Sequence, residues 1–183
     1  MRNNLGIANA YNSAKKSDGT DAFWTVDWAT EILLRNTELS EEVLEPACGE
    51  GWISEVLKKH GHKVVSSDIN DWGYGRVQDF LSFKQWDGDL VTNPPYKLAM
   101  QFIEHALDIT NGRVCMLLRS DFWCSITRYD FMHNHMPSKV IYIARHLPIW
   151  QRDIKKFKHS GIIAHNWAIW EKNSTKTQFI LEK

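Results

Sequence analysis

The chain has 183 residues, 43% of them hydrophobic and 24% charged, a composition that supports one packed domain with at most a short appendage and excludes a wholly disordered chain. Its 22 Lys and Arg balance 22 Asp and Glu, so no global positive field draws it onto nucleic acid and any polyanion binding has to be local. No apolar run approaches the roughly 18–20 residues of a membrane span and the opening residues lack the apolar block of a secretion signal, which makes a cytoplasmic location the expectation.

Residues 1–20 are rich in Asn, Ser, Lys and Gly without apolar periodicity and read as a flexible arm preceding a single domain over 21–183. Asp27 is placed to cap a helix running to about Asn36, with Trp28, Ile32 and Leu33 on one side. A short strand is expected over 42–45. Ile53, Val56, Leu57 and His60 recur at helical spacing, and Gly61 follows where a left-handed stop is wanted. A strand over 63–67 completes a βαβ unit. The alternation continues with a strand at 89–92, a helix at about 98–109 ended by Asn111-Gly112, and a near-continuous apolar strand over 113–118 of the kind that is covered on both faces. Two further strands are expected at about 139–144 and 162–170. Alternating elements of this kind predict an α/β fold with three layers around a mainly parallel sheet.

Cys48, Cys115 and Cys124 are odd in number and lack a C-x-x-C spacing, so reduced thiols are expected and neither a disulfide framework nor a zinc ribbon. His133 and His135 form an isolated H-x-H with no further ligands supplied, and no metal is expected.

The first strand runs into Glu45-Pro46-Ala47-Cys48-Gly49-Glu50-Gly51 and then directly into a helix. Two glycines at a strand-to-helix turn permit a tight bend and close approach of backbone N–H groups to a ligand. A plain structural turn would have the same glycines, and Ser54 stands where a third glycine completes the dinucleotide fingerprint. Asp68, 19 positions after Gly49 at the end of the second strand, adds an acceptor for ribose hydroxyls, and together they indicate an adenosine-containing cofactor other than NAD.

Asn93-Pro94-Pro95-Tyr96 follows the strand at 89–92, on the edge where ligands bind in open α/β sheets. Each proline fixes its own φ and restrains the residue before it. The side-chain oxygen of Asn93 and a neighbouring carbonyl then form a stiff acceptor array for a flat, conjugated amino group, and the Tyr96 ring offers a stacking face. The alternative is a bland turn, because Asn-Pro pairs commonly begin turns.

With these motifs in place, the stretch from about Asp21 to Lys172 resembles the S-adenosylmethionine-dependent amino methyltransferases, in particular the DNA adenine-N6 group and its small stand-alone versions in bacteriophage genomes. Asn93 to Tyr96 matches the [D/N/S]-P-P-[Y/F/W] motif, and Glu45 to Gly51 matches the cofactor loop. The resemblance implies a Rossmann-like class I methyltransferase fold whose sheet ends with an antiparallel C-terminal strand. It also implies that Phe23, Trp24 and Thr25 contact the methionine end, that Glu45, Pro46, Ala47, Cys48, Gly49 and Gly51 line methionine and ribose, and that Asp68 holds the ribose. Ile69, Asp79 and Phe80 would meet the adenine, with Asn93 between cofactor and substrate. Two departures stand out. The chain has Thr25-Val26-Asp27-Trp28 where many relatives have Thr-Pro-Pro-Trp, and Phe80, with Leu81 and Phe83, reads equally as core. Cys48 reads as a small packing residue, not a nucleophile.

A base inside a duplex must be flipped out to reach such a pocket and stacked, here on Tyr96. Phosphate contacts are expected from the segment 145–159, which carries Arg145, Arg152, Lys155, Lys156 and Lys158 against Asp153, a net charge of +4; a solvated basic loop would show the same charges. Arg119 and Phe122 are further candidates for substrate contact. With no room for an added recognition domain, relaxed sequence specificity is expected. The competing readings are methylation of an RNA base or a protein glutamine, and a catalytically silent protein of the same fold that binds nucleic acid.

Overall fold

The computed structural model describes residues 24–151, 156–160 and 163–183. The expected arm over 1–20, Phe23, Arg152 and Lys155 lie outside the described residues. The elements in chain order are α1 (Asp27–Asn36), β1 (Glu42–Glu45), α2 (Trp52–Lys59), β2 (Lys63–Asp68), β3 (Arg76–Val77), β4 (Asp89–Thr92), α3 (Ala99–Ile109), β5 (Val114–Arg119), α4 (Tyr129–Asn134), β6 (Lys139–Ile143), β7 (Pro148–Gln151), β8 (Lys156–Ser160), β9 (His165–Trp170) and β10 (Gln178–Glu182). Among them no helix is long and apolar enough to cross a membrane.

Eight strands form one sheet in the order β10-β6-β9-β5-β4-β1-β2-β3. All neighbours run parallel except β9, which is antiparallel to both β5 and β6. This is the expected Rossmann-like α/β sheet with its antiparallel strand, to which β10 adds an outer strand parallel to β6. The segment 145–159, read from the sequence as a loop, contains the antiparallel pair β7 and β8. Both β10 and this hairpin are short, and neither carries a turn dipeptide that would mark it.

Strand side chains alternate between two cores. Val43, Val91, Cys115, Leu117, Trp167 and Ile169 pack on one face with Ile32 and Leu33 of α1 and Ile53 and Leu57 of α2. Leu44, Leu90, Met116, Leu118 and Ala168 pack on the other with Phe102, Ile103 and Ala106 of α3 and with Phe80. Burial of both faces explains why β5 reads as an unbroken apolar run, since neither side of it meets water.

Two helix-end expectations need correction. Asp27 does not cap α1: Val26 holds the cap position without a side-chain hydrogen bond, and Asp27 is the first helical residue. Its carboxylate there still faces the positive end of the helix dipole. His60 lies just past α2 as its terminal cap, not on the buried stripe, and its Nε2 is 2.9 Å from Glu31 on α1. Gly61, at φ 91°, supplies the expected left-handed stop.

Topology sets the place of the site. From β1 the chain crosses to β2 on one side, while β4 pairs with β1 on the other, so a crevice opens at the carboxyl ends of β1 and β4. The pairing of Arg119 with His165 puts the start of β9 on this same edge, and the antiparallel pair β7 and β8 lies in the chain between β6 and β9. Trp167 at the centre of β9 is fully buried and donates its indole N–H to the Ala29 carbonyl at 2.7 Å, tying α1 to the sheet. Trp167→Ala is expected to cost about 3–5 kcal/mol of unfolding free energy in urea titration. Phe179→Ala, at a side chain 63% exposed on β10, is expected to cost about 0.5 kcal/mol or less.

Candidate functional site

The turn after β1 is shaped by two left-handed glycines, Gly49 at φ 52° and Gly51 at φ 86°. A side chain at Gly49 would enter open space, whereas one at Gly51 would collide with the Tyr74 ring. Glycine at position 51 is therefore demanded twice, by conformation and by packing. The turn is docked on β2 by the Cys48 N–H, which donates to the Ser67 carbonyl at 2.9 Å.

Asp68 terminates β2 with both carboxylate oxygens anchored. One accepts the Gly49 N–H at 3.0 Å, the other the Asn70 N–H at 2.9 Å. Each oxygen keeps a further lone pair for an incoming hydroxyl. Glu45 is fully buried beside it. The Ser54 hydroxyl donates to Glu45 and lies 2.6 Å from the Ser66 hydroxyl, so the serine in the place of a third glycine does chemical duty as a partner for the carboxyl. Burial pushes Glu45 up to about 8, opposed by the Ser54 hydrogen bond and reinforced by the Asp68 charge. Burial likewise pushes the Cys48 thiol up to about 12, which leaves it a packing group at neutral pH.

A cleft of about 240 Å³ opens above this turn. Glu45, Pro46, Ala47, Cys48, Gly49 and Asp68 line it together with Trp24, Thr25, Ile69, Asp79 and Phe80. Asn93 and Pro95 line it as well. Of the described residues named from the sequence for a cofactor, all but Gly51 line this cleft; Phe23 lies outside the described residues. Phe80 serves both readings: it packs in the core with ring centres 4.8 Å from Phe102 and presents surface to the cleft. Asp79 accepts the Leu81 N–H at 3.0 Å, and Ile69 is 65% exposed at the mouth.

The proline turn meets this cleft edge-on. The Asn93 amide donates from Nδ2 to the Thr25 hydroxyl at 3.1 Å, and its Oδ1 is buried. Pro95, at φ −58°, opens a single 3₁₀ turn over Tyr96–Leu98, and its carbonyl accepts the Leu98 N–H at 2.9 Å. Pro94 is buried and, like Tyr96, stands beside the cleft without lining it. Tyr96 donates its hydroxyl to His165 Nε2 at 2.9 Å, and the Arg119 guanidinium lies 5.7 Å from the centre of its ring.

The substrate candidates divide. Arg119 lies at the end of β5 next to Tyr96 and pairs with Asp121. Phe122 is not brought to the cleft: it is 7% exposed in the second core, with Arg128 over its ring at 4.8 Å. Arg145 stacks on the Trp28 ring at 3.5 Å where the chain leaves β6. Lys156 and Lys158 lie on β8. Among the described residues no group of three or more His, Cys, Asp or Glu is arranged to hold a metal. His133 and His135 face separate aromatic rings, Tyr129 and Phe131.

Sequence reasoning missed Trp52, Trp72, Leu98 and Phe102 in the cleft wall and His165 beside Tyr96. Trp52 directly follows one motif and Leu98 stands two residues after the other, and that proximity could have flagged them. Trp72, whose ring meets Trp24 edge-on at 5.8 Å, and His165 carry no local signal.

No protein-family profile matches the chain, and no curated protein matches it in sequence. Solved structures do. A modification subunit assigned to a type I restriction enzyme from Vibrio vulnificus aligns at a TM-score of 0.62 and 12% identity, over 97% of this chain and 50% of its own length. The chain thus spans half of that subunit. The 23S rRNA methyltransferase ErmE aligns at 0.57 and 16% identity, over 83% of this chain and 70% of its own. A protein from Pyrococcus horikoshii assigned as an RNA methyltransferase aligns at 0.55 and 12%, over 79% and 81%. At these identities the shared property is the fold, and it is the Rossmann-like fold of S-adenosylmethionine-dependent methyltransferases.

The buried carboxyl gives the ligand-free protein a pH signature. Below its ordinary pKa of 4.5, Glu45 is protonated folded or unfolded; between there and about 8 only the unfolded chain releases the proton. Stability is therefore expected to fall as pH rises through that window. Glu45→Gln should flatten this slope, seen as a smaller difference between denaturation midpoints at the two ends of the window.

Proposed function

We propose that the protein transfers a methyl group from S-adenosylmethionine to the exocyclic N6 amine of adenine in DNA. The observation that carries this reading is the hydrogen bond from Asn93 to Thr25, which sets the proline-braced turn into the wall of the cleft that holds Gly49, Asp68 and Glu45.

The cleft fits that cofactor in its chemistry. Asp68, anchored through two backbone N–H groups, suits ribose hydroxyls. The open space at Gly49 admits a close backbone approach. Ile69 and Phe80 offer apolar faces to a purine, and the buried Glu45 carboxyl suits a cationic group, whose arrival would favour its ionised form. When bound, S-adenosylmethionine supplies a methyl group activated by a positively charged sulfur.

This chain's own groups then act on the amine. The Asn93 oxygen and a carbonyl of the turn would accept its hydrogens, which draws the nitrogen lone pair out of conjugation and stabilises the positive charge that grows there as the new N–C bond forms. That bond replaces the methyl–sulfur bond, a neutral thioether is left, and the surplus proton passes to water. The prolines restrain the backbone carbonyls of the turn, and Asn93 Oδ1, buried in the ligand-free protein, is reached when the amine enters. Tyr96 supplies a face for the flipped base, and Arg145 with the basic β8 strand supplies contacts for the phosphates.

The motif resemblance and the likeness of fold to a restriction-modification subunit favour DNA; the likeness to an rRNA methyltransferase makes RNA the second substrate to test. Incubation with labelled S-adenosylmethionine and duplex DNA, RNA or a glutamine peptide, followed by digestion, is expected to place the label in N6-methyladenine from DNA. Label in RNA or peptide instead would replace the DNA reading, and binding without turnover on all three would favour the silent one. Asn93→Ala is expected to lower turnover by about 10²-fold or more, and Asp68→Ala to weaken cofactor binding by about tenfold through loss of charge-assisted hydrogen bonds.

A further inference from the structure

Tyr96 begins a single 3₁₀ turn, too short an element to fix the plane of a side chain by itself. What holds the ring comes from the far end of the chain. His165 is the first residue of β9, paired with Arg119 at the end of β5, and is 8% exposed. Its Nδ1 is 3.1 Å from the Ile163 carbonyl. A carbonyl can only accept, so Nδ1 carries the proton and Nε2 accepts the Tyr96 hydroxyl at 2.9 Å. The ring is held at both nitrogens.

The titratable groups facing this imidazole are Tyr96 on the turn, Arg119 on β5, Asp121 just beyond it, and His146 in the segment after β6. Burial, opposed by the hydrogen bond to the Ile163 carbonyl and by the Asp121 charge and aided by the Arg119 charge, brings His165 down to about 4. The imidazole therefore stays in its accepting, uncharged form through the neutral range. Arg119 is itself tethered by Asp121, so the Tyr96 ring has one neighbour at its hydroxyl and another at 5.7 Å from its centre.

We propose that His165 is a positioning residue for the transfer reaction: by accepting the Tyr96 hydroxyl it sets the plane of the ring on which the flat amine-bearing group stacks. This inference rests on the methyl-transfer reading above. It gives β9 a task beyond closing the sheet, and it accounts for a hydrogen-bonded histidine at the head of an otherwise largely apolar strand.

The test uses the full chain with S-adenosylmethionine and duplex DNA. His165→Phe, which keeps a ring but removes the acceptor, is expected to lower kcat about tenfold, the scale of one lost buried hydrogen bond, with the dissociation constant for S-adenosylmethionine unchanged. His165→Gln, which returns an oxygen near Nε2, is expected to recover most of that loss. In a Tyr96→Phe background the His165→Phe change should cost less than about twofold more, because the two act as one unit. Independently of activity, proton–nitrogen NMR spectra should show the Nδ1-protonated tautomer between about pH 5 and 8.

A kcat for His165→Phe close to that of an active wild type, or full additivity with Tyr96→Phe, would overturn the proposal. So would an Nε2-protonated tautomer. If the wild type methylates nothing, the functional reading fails while the tautomer still decides whether the hydrogen bond exists. Should His165→Phe not fold, the Gln variant and Tyr96→Phe carry the comparison, and loss of kcat in Tyr96→Phe with no loss in His165→Gln is the expected pattern.

Discussion

The site depends on one hydrogen bond between distant segments, from the Asn93 amide to the Thr25 hydroxyl at 3.1 Å. A carboxamide is free to rotate by half a turn, which exchanges a donor for an acceptor. The Thr25 hydroxyl accepts from Nδ2 here and tethers the side chain, although a hydroxyl can equally donate to the oxygen of the rotated group. Thr25 is in reach because Val26 and α1 are packed on the sheet, with Ala29 and Leu33 buried against it, so the segment before α1 is delivered to the carboxyl ends of β1 and β4. The two prolines restrain the backbone of the turn, and the threonine tethers the side chain on it.

The glycine turn repeats this division of labour. Gly49 and Gly51 give the backbone its path, and Asp68 then ties that path to β2 through the Gly49 N–H. The buried Glu45 carboxyl is bonded by Ser54, which in turn meets Ser66. A carboxyl kept neutral by burial can hydrogen-bond a neutral group, and an approaching positive charge would favour its ionised form. Burial holds the Cys48 thiol protonated at neutral pH. Around them Trp24, Ile69, Phe80 and Phe102 give the cleft an apolar, aromatic lining.

What could be read from the sequence follows from the range of the interactions. α2, β4, α3 and β5 were legible because each carries its own periodicity, and both motifs were legible because a strand, a turn and a helix follow one another in a few residues. Asp68 was within reach because one βαβ unit fixes its spacing from Gly49. β3, with two residues, is too short to leave a pattern, and β10 is held by pairing with β6 more than by its own alternation. The bonds that complete the site join residues 68 and 69 positions apart. Such pairs leave no local trace in a single sequence, which is why Thr25 was expected to touch a ligand and not Asn93, and why His165 went unremarked. Phe122 shows the converse error: an aromatic residue beyond a strand end suggests a surface contact, but here the chain turns back and buries it.

The central claim is that the glycine turn and the proline turn serve one ligand and one reaction. It is tested most directly by a structure of the protein with bound S-adenosylhomocysteine. The account predicts the ribose hydroxyls on Asp68, the purine against Ile69 and Phe80, and the sulfur facing the Asn93 carboxamide. A ligand seated elsewhere, or one bound at Asp68 with its sulfur pointing away from Asn93, would contradict it.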